Sequence, residues 1–184
     1  MVTMTDGATE TAAGLMHLAA AGDDVAFARI VDAYHADMSS VCFVVTGGDA
    51  DVTEEAVQAT WPIAWRKLDT IRDPERLRPW LISIAVNQAR QLSRRQRRGR
   101  VLEISVAGDG SATTTADPGS RAGDIDLRNA LAHLSPDDRA LIALRYVAGF
   151  DSTELARALR MSPSGTRARL ARLLGRLRSE LGDG

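Results

Sequence analysis

The chain has 184 residues, 45% hydrophobic and 26% charged, with a formal net charge of −1, enough for one or two small domains with modest cores. No apolar run is long enough to span a membrane and the acidic N-terminus lacks the positive start of a signal peptide, so no membrane insertion and a cytoplasmic location are expected. The single Cys42 excludes an internal disulfide and its apolar run, Val41 to Val45, predicts a buried thiol, while His17, His35 and His133 lack ligand spacing.

With no nucleophile motif, phosphate loop or outstanding carboxylate pair, nothing in the sequence argues for an enzyme, a metal or a cofactor. Residues 1–12 are read as a disordered tail. Four helices are then predicted: around Ala12 to Ala21, from Asp24 to Thr46, from Asp51 to Leu68, and from Pro79 to about Arg98, with Gly22, Gly47 and Gly48 marking breaks. The third helix is acidic and polar in its N-terminal half at Asp51, Glu54, Glu55 and Gln58, and repeats Val57, Trp61, Ala64 and Leu68 on one face. Pro62 removes a backbone bond inside it and is expected to bend it. In the fourth helix Trp80, Ser83, Asn87, Arg90, Arg94 and Arg97 form a stripe that ends in arginines, opposite Leu81, Ile84, Ala85 and Leu92. Aromatics beside arginines can bind unstacked bases. The bland reading of Trp61, Trp65 and Trp80 is core packing, since a small helical domain needs large apolar residues.

Residues 99–123 are rich in Gly, Ala, Ser, Thr and Asp without a sustained apolar period, which reads as a flexible linker. Beyond it a bundle of four helices is expected from near Asp126. Ser135-Pro136-Asp137-Asp138 starts one helix, with two acids on its N-terminal dipole and Leu141, Ile142, Leu144 and Val147 turned inward. Asp151 and Glu154 resemble a capping box before a short helix, and Ser162-Pro163 opens the last. The stretch MSPSGTRARLARLLGRLR (161–178) holds five arginines and no acid. On a helical wheel Leu170, Leu173, Leu174, Leu177 and Leu181 form one stripe, while Arg169, Arg172 and Arg176 cluster elsewhere. A short helix, a tight turn and a basic helix make a helix-turn-helix, whose second helix enters the major groove. Charge divides accordingly: residues 1–60 carry −9, 61–100 carry +8, 101–126 carry −4 and 127–184 carry +4. Two basic blocks separated by acidic ones suggest separate partners, with nucleic acid the natural ligand of the basic ones.

The order of VQATWPIAWRKLD, PWLISIAVNQARQLSRRQRR, a polar linker and LAHLSPDDRALIALRYVAGFDSTELARALRMSP…RARLARLLGRLR resembles the extracytoplasmic-function sigma factors of bacterial RNA polymerase, sigma-70 family, over residues 13 to 182. The resemblance implies an all-α fold of two small domains, sigma region 2 (13–98) and sigma region 4 (124–182). It implies that Asp51, Glu54, Glu55, Gln58 and Trp65 bind the β′ clamp helices of core polymerase. The loop 69–78, with Arg72, Asp73, Arg76 and Arg78, matches the segment that receives a flipped base of the minus-ten element, and Trp80, Asn87, Arg90, Arg94 and Arg97 match the adjoining DNA-binding helix. Ser164, Arg167, Ala168, Arg169 and Arg172 match minus-thirty-five readers, and Arg176 and Arg178 would meet phosphates. The remaining partners so implied are the β flap, promoter DNA and an anti-sigma factor.

The sequence departs from the family pattern at several points. Arg160 stands where the helix-turn-helix turn usually has glycine, polar Thr166 takes an inward site that is normally aliphatic, Ala59 replaces a common acid, and Leu77-Arg78 replaces a small residue followed by an aromatic. Two other readings stay open on the residues alone: a stand-alone helix-turn-helix regulator, and a sigma mimic that sequesters an anti-sigma factor.

Overall fold

The computed structural model describes residues 12–107, 131 and 133–181, and among these every regular element is helical. Helix α1 spans Ala12–Ala20 and ends at Gly22, which adopts a positive φ of 97°. The Asp23 carboxylate accepts from the Ala26 amide at 3.0 Å and starts α2, Asp24–Thr46. Gly47 closes α2 in the left-handed conformation, and Asp49 caps α3, Ala50–Lys67, through the Val52 amide. Two 3₁₀ turns, Leu68–Thr70 and Pro74–Arg76, lead into α4, Leu77–Ala107.

These bounds match the expected helices closely, with two differences. The fourth helix begins two residues early and runs on to Ala107, so the first part of the expected linker is helical. Gly99 is tolerated there because one glycine in a helix interior costs only about 1 kcal/mol. The rest of that linker, the N-terminal tail and residues 124–130 lie outside the described residues. The second difference is Trp65, which is 39% exposed rather than core, whereas Trp61 and Trp80 are half-buried against the core. Helix α3 runs continuously from Ala50 to Lys67 with Pro62 inside it.

Ile30, Met38, Val41 and Val45 of α2, Ala56, Val57 and Ala64 of α3, and Leu81, Ile82, Ala85 and Val86 of α4 form the core of the first unit. Cys42 is buried among them, and burial pushes its thiol up to about 12. Thr46 and Thr53 are satisfied by each other at 2.8 Å, and the Thr60 hydroxyl donates to the Ala56 carbonyl.

In the second unit Ser135 caps α5, Pro136–Ile142, by accepting from the Asp138 amide. Helix α5 continues as a π turn, Ala143–Val147, closed by the Ala148 amide on the Ala143 carbonyl. The wider turn shifts the helical phase, so Leu141 and Leu144 are buried but Val147, expected inside, is 41% exposed. The capping box forms as expected at the start of α6, Ser152–Leu159, and Ser162 accepts from the Gly165 amide at the start of α7, Pro163–Leu181. Leu155, Leu173 and Leu177 complete this core.

Arg160 ends α6 at φ 55°, ψ 46°, the only non-glycine with positive φ among the described residues. Thr166 is fully buried, and its hydroxyl donates to the Ser162 carbonyl at 2.9 Å, so the polar residue at an inward site carries no unmade bond. A left-handed arginine is strained by its Cβ, so Arg160→Gly is expected to raise stability by about 1 kcal/mol in urea unfolding. A loss of stability would show that the arginine side chain, not the backbone, decides this position.

Candidate nucleic-acid interface

Helix α7 sorts its arginines by face. Ser164, Arg167, Ala168, Ala171, Arg172 and Gly175 are exposed, so its outer surface is small residues flanked by two arginines that form no ion pair with a described residue. Such a surface admits a bulky partner close to the backbone. Arg169 and Arg176 turn instead toward the start of α5. Arg169 donates from both Nε and Nη2 to Asp138 Oδ1 at 2.9 Å, and Arg176 Nη2 lies 3.5 Å from Oδ2. The Asp138 carboxylate also accepts from the Ser135 hydroxyl at 2.9 Å. A groove lined by Asp138, Gly165, Arg169, Arg172 and Arg176 follows this edge of the helix. Arg178 is exposed at the far end.

The arginine stripe of α4 is also divided. Arg90 Nε donates to Asp137 Oδ1 at 2.7 Å, and Arg90 Nη1 donates to Asn87 Oδ1 at 3.1 Å. Arg94 Nη2 donates to the other carboxylate oxygen of Asp137. Partial burial works against the Asp137 anion, but hydrogen bonds from Arg94 and Arg90, together with their charges, hold its carboxyl below the usual range. Arg97 is exposed one turn further on.

The loop before α4 is locally closed. Asp73 accepts from the Glu75 amide and pairs with Arg76 at 3.3 Å, while Arg72 is exposed. Arg78 faces the second unit: its Nε donates to Asp37 Oδ2 at 2.7 Å and its Nη1 to the Ala148 carbonyl at 2.9 Å. Of the expected minus-ten residues, then, Arg78, Arg90 and Arg94 meet the C-terminal unit, and Trp80 packs on the core.

The acidic face of α3 is open. Asp51, Glu54, Glu55 and Gln58 are exposed, with Gln58 Nε2 donating to Glu54 Oε1 at 2.8 Å. Trp65 extends this surface, held edge-on by Phe27 with ring centroids 4.7 Å apart.

Residues that the sequence reading did not single out for this site are Asp37 and Arg139, and it treated Asp137 and Asp138 only as helix-dipole partners. Arg139 is buried, and its Nε donates to the Val45 carbonyl at the end of α2 at 2.8 Å. Spacing within one helix cannot reveal a partner about 50 to 95 residues away; an acid pair directly before an arginine was the only local signal.

Comparison with known proteins places both units. Residues 30–99 match the model for sigma-70 region 2, and residues 124–177 match that for sigma-70, region 4. The ECF RNA polymerase sigma factor SigL of Mycobacterium tuberculosis is 31% identical over 67% of this chain and 71% of its own length. The chain belongs to the extracytoplasmic-function sigma factors of the sigma-70 family. The sigma-factor relative RfaY of Xanthomonas campestris pv. campestris is 29% identical over 89% of this chain, which spans 42% of that longer protein. The structure of CnrH in complex with the cytosolic domain of CnrY is similar at a TM-score of 0.60 and 26% identity, covering 93% of this chain and 95% of that one. The all-α fold and both sigma regions therefore stand as expected. Among the described residues no helix is long and apolar enough to cross a membrane.

The Asp137 pairing sets a pH dependence. Its folded pKa is depressed, so its stabilisation is present above the ordinary carboxylate value of 3.8 and is lost as pH falls through the lowered one. Asp137→Asn is expected to be less stable than wild type at neutral pH, with the difference closing as pH falls below the ordinary carboxylate value of 3.8 in urea titrations. A difference that persists unchanged into acid would remove the carboxylate from this account.

Proposed function

We propose that this sigma factor carries core RNA polymerase to promoters with two short elements and helps open the inner one, acting in the cytoplasm without catalysis of its own. The observation that carries this reading is the placement of cationic helices, α4 and α7, on the two sigma regions, with an acidic face at α3. In this reading Asp51, Glu54, Glu55, Gln58 and Trp65 dock on the β′ clamp helices. The exposed acids supply steering and specificity, and the tryptophan supplies an apolar anchor.

The 69–78 loop, with Arg72, Asp73, Arg76 and Arg78, takes the flipped minus-ten base, and Trp80, Asn87, Arg90, Arg94 and Arg97 hold the melted strand. Ser164, Arg167, Ala168 and Arg172 read the minus-thirty-five major groove. Arg169 and Arg176 reach its edge, Arg178 meets phosphates, and region 4 rests on the β flap. Domain limits of 13–98 for region 2 and 124–182 for region 4 accompany this assignment. CnrH is seen with CnrY, and an anti-sigma protein is proposed as the regulatory partner here by likeness.

The decisive measurement is co-elution with purified core polymerase in competition with a housekeeping sigma factor. Competitive binding is expected; a well-folded protein that forms no complex would end the clamp assignment. The paired change Glu54→Lys with Glu55→Lys is expected to weaken core binding by about tenfold or more while leaving the helical content unchanged. For promoter reading, Arg172→Ala is expected to cost about 1–3 kcal/mol in initiation if its contact is bidentate. Runoff transcription on templates with intact and scrambled minus-thirty-five elements checks this, because the variant should lose the preference between them. A preference equal to wild type would take Arg172 out of base reading.

A further inference from the structure

We propose that Asp138 is a positioning residue for promoter reading: from the start of α5, outside the recognition helix, it holds the Arg169 guanidinium so that this arginine meets the minus-thirty-five groove in one orientation. The inference rests on the reading of α7 as the minus-thirty-five helix, and it adds a residue that acts on DNA only through another side chain.

The carboxylate is itself fixed before it meets the arginine. Ser135 Oγ accepts from the Asp138 amide at 3.1 Å and donates back to Asp138 Oδ2 at 2.9 Å, so the cap that starts α5 also sets the rotation of the Asp138 side chain. Oδ1 is left for Arg169, whose Nε and Nη2 both donate to it at 2.9 Å. Arg176 Nη2 lies 3.5 Å from Oδ2 further along the same groove. The Asp138 side chain is 13% exposed and that of Arg169 34%, so the carboxylate is shielded while the guanidinium still reaches solvent.

A guanidinium carries five N–H donors in a planar fork. Pairing through Nε and Nη2 uses its side edge and leaves its end edge, Nη1 with the second N–H of Nη2, for a bidentate contact with a phosphate or a base. The pairing therefore sets the direction of Arg169 without consuming its capacity to bind. Arg172, on the same helix, is exposed and makes no ion pair with a described residue. A mobile arginine can follow whichever phosphate is nearest, which adds affinity without sequence information. An arginine of fixed direction makes its contact only when the helix sits in one register on the duplex. The Asp138 charge adds to this selection, because it repels phosphates that approach the groove out of register.

The test uses the full chain assembled with core polymerase. Wild-type holoenzyme first selects a duplex from a pool randomised over the minus-thirty-five and minus-ten positions. Binding to that duplex, and to the same duplex with its minus-thirty-five element scrambled, is then measured by fluorescence anisotropy at fixed salt. Wild type is compared with Asp138→Ala, the isosteric Asp138→Asn, Arg169→Ala and the double variant Asp138→Ala with Arg169→Ala, after circular dichroism has verified helix content. Asp138→Ala is expected to lower the ratio of intact to scrambled affinity by about tenfold, with binding to the scrambled duplex unchanged or stronger. Asp138→Asn keeps the side-chain shape and a neutral acceptor, so it should fold even if the alanine variant does not, and should lower the ratio by less. With Arg169 already removed, loss of Asp138 should change the ratio no further. A ratio equal to wild type in both Asp138 variants would overturn the proposal. So would an equal fall with and without Arg169, because the carboxylate would then act through the fold and not through the arginine. A wild-type holoenzyme with no preference for the intact element would end the reading of α7 and the proposal together. A preference lost in Arg172→Ala but kept in Asp138→Ala would overturn the proposal alone.

Discussion

Three consecutive charged residues at the start of α5 connect the long helices. Asp137 reaches α4, Asp138 reaches α7, and Arg139 reaches the end of α2. Burying charge is costly unless each ion is paired or placed on backbone dipoles, and here each of the three is. Arg139 is the most demanding: burial, and then the charge of Arg97, lower its pKa, and hydrogen bonds to the Val45 and Leu134 carbonyls compensate. The left-handed Gly47 at the end of α2 follows from this constraint, because a side chain there would meet the guanidinium as well as an unfavourable φ. The position of region 4 on region 2 is thus specified by polar geometry as much as by the apolar contact of α5 with α2.

That constraint also decides which arginines are available. In sequence the basic blocks look uniform, and a helical wheel assigns Arg169, Arg172 and Arg176 to one cluster. In the fold Arg172 and Arg167 flank a surface of small side chains, while Arg169 and Arg176 lean on Asp138. A guanidinium held by a carboxylate has lost rotamer freedom before any partner arrives and has part of its charge neutralised. Under the proposed promoter-reading role, the outer pair Arg167 and Arg172 is the freer to reach bases, and Arg169 would meet the groove edge already oriented.

Local chemistry made most of the helices legible. The Asp24–Thr46 bounds follow from Asp23 and Gly47, and the α6 start follows from the Asp151–Glu154 reciprocal cap. Arg160 in place of the usual turn glycine left two outcomes open, an arginine in an unfavourable conformation or a differently bent turn, and the fold takes the first. What could not be read was non-local. The exposure of Val147 depends on a π turn that no apolar period announces, and Trp65 stays 39% exposed although Phe27 packs against it in a T-shaped contact. The candidate site was legible as two basic helices and an acidic one, but not in its internal pairing, because nothing in a heptad of residues around Arg90 points to Asp137.

Asp137 and Asp138 are adjacent and chemically identical, yet their surroundings give them opposite roles. Asp138 is bound within region 4, by the Ser135 hydroxyl, by Arg169 and at longer range by Arg176, so its contacts travel with that region wherever it goes. The carboxylate of Asp137 pairs only across the seam among the ion pairs described. Separating the regions therefore releases Arg90 and Arg94 together while leaving Arg169 oriented. A helix start that would be stable with either acid alone has room for both, because successive side chains in the first turn point about 100° apart and meet different helices.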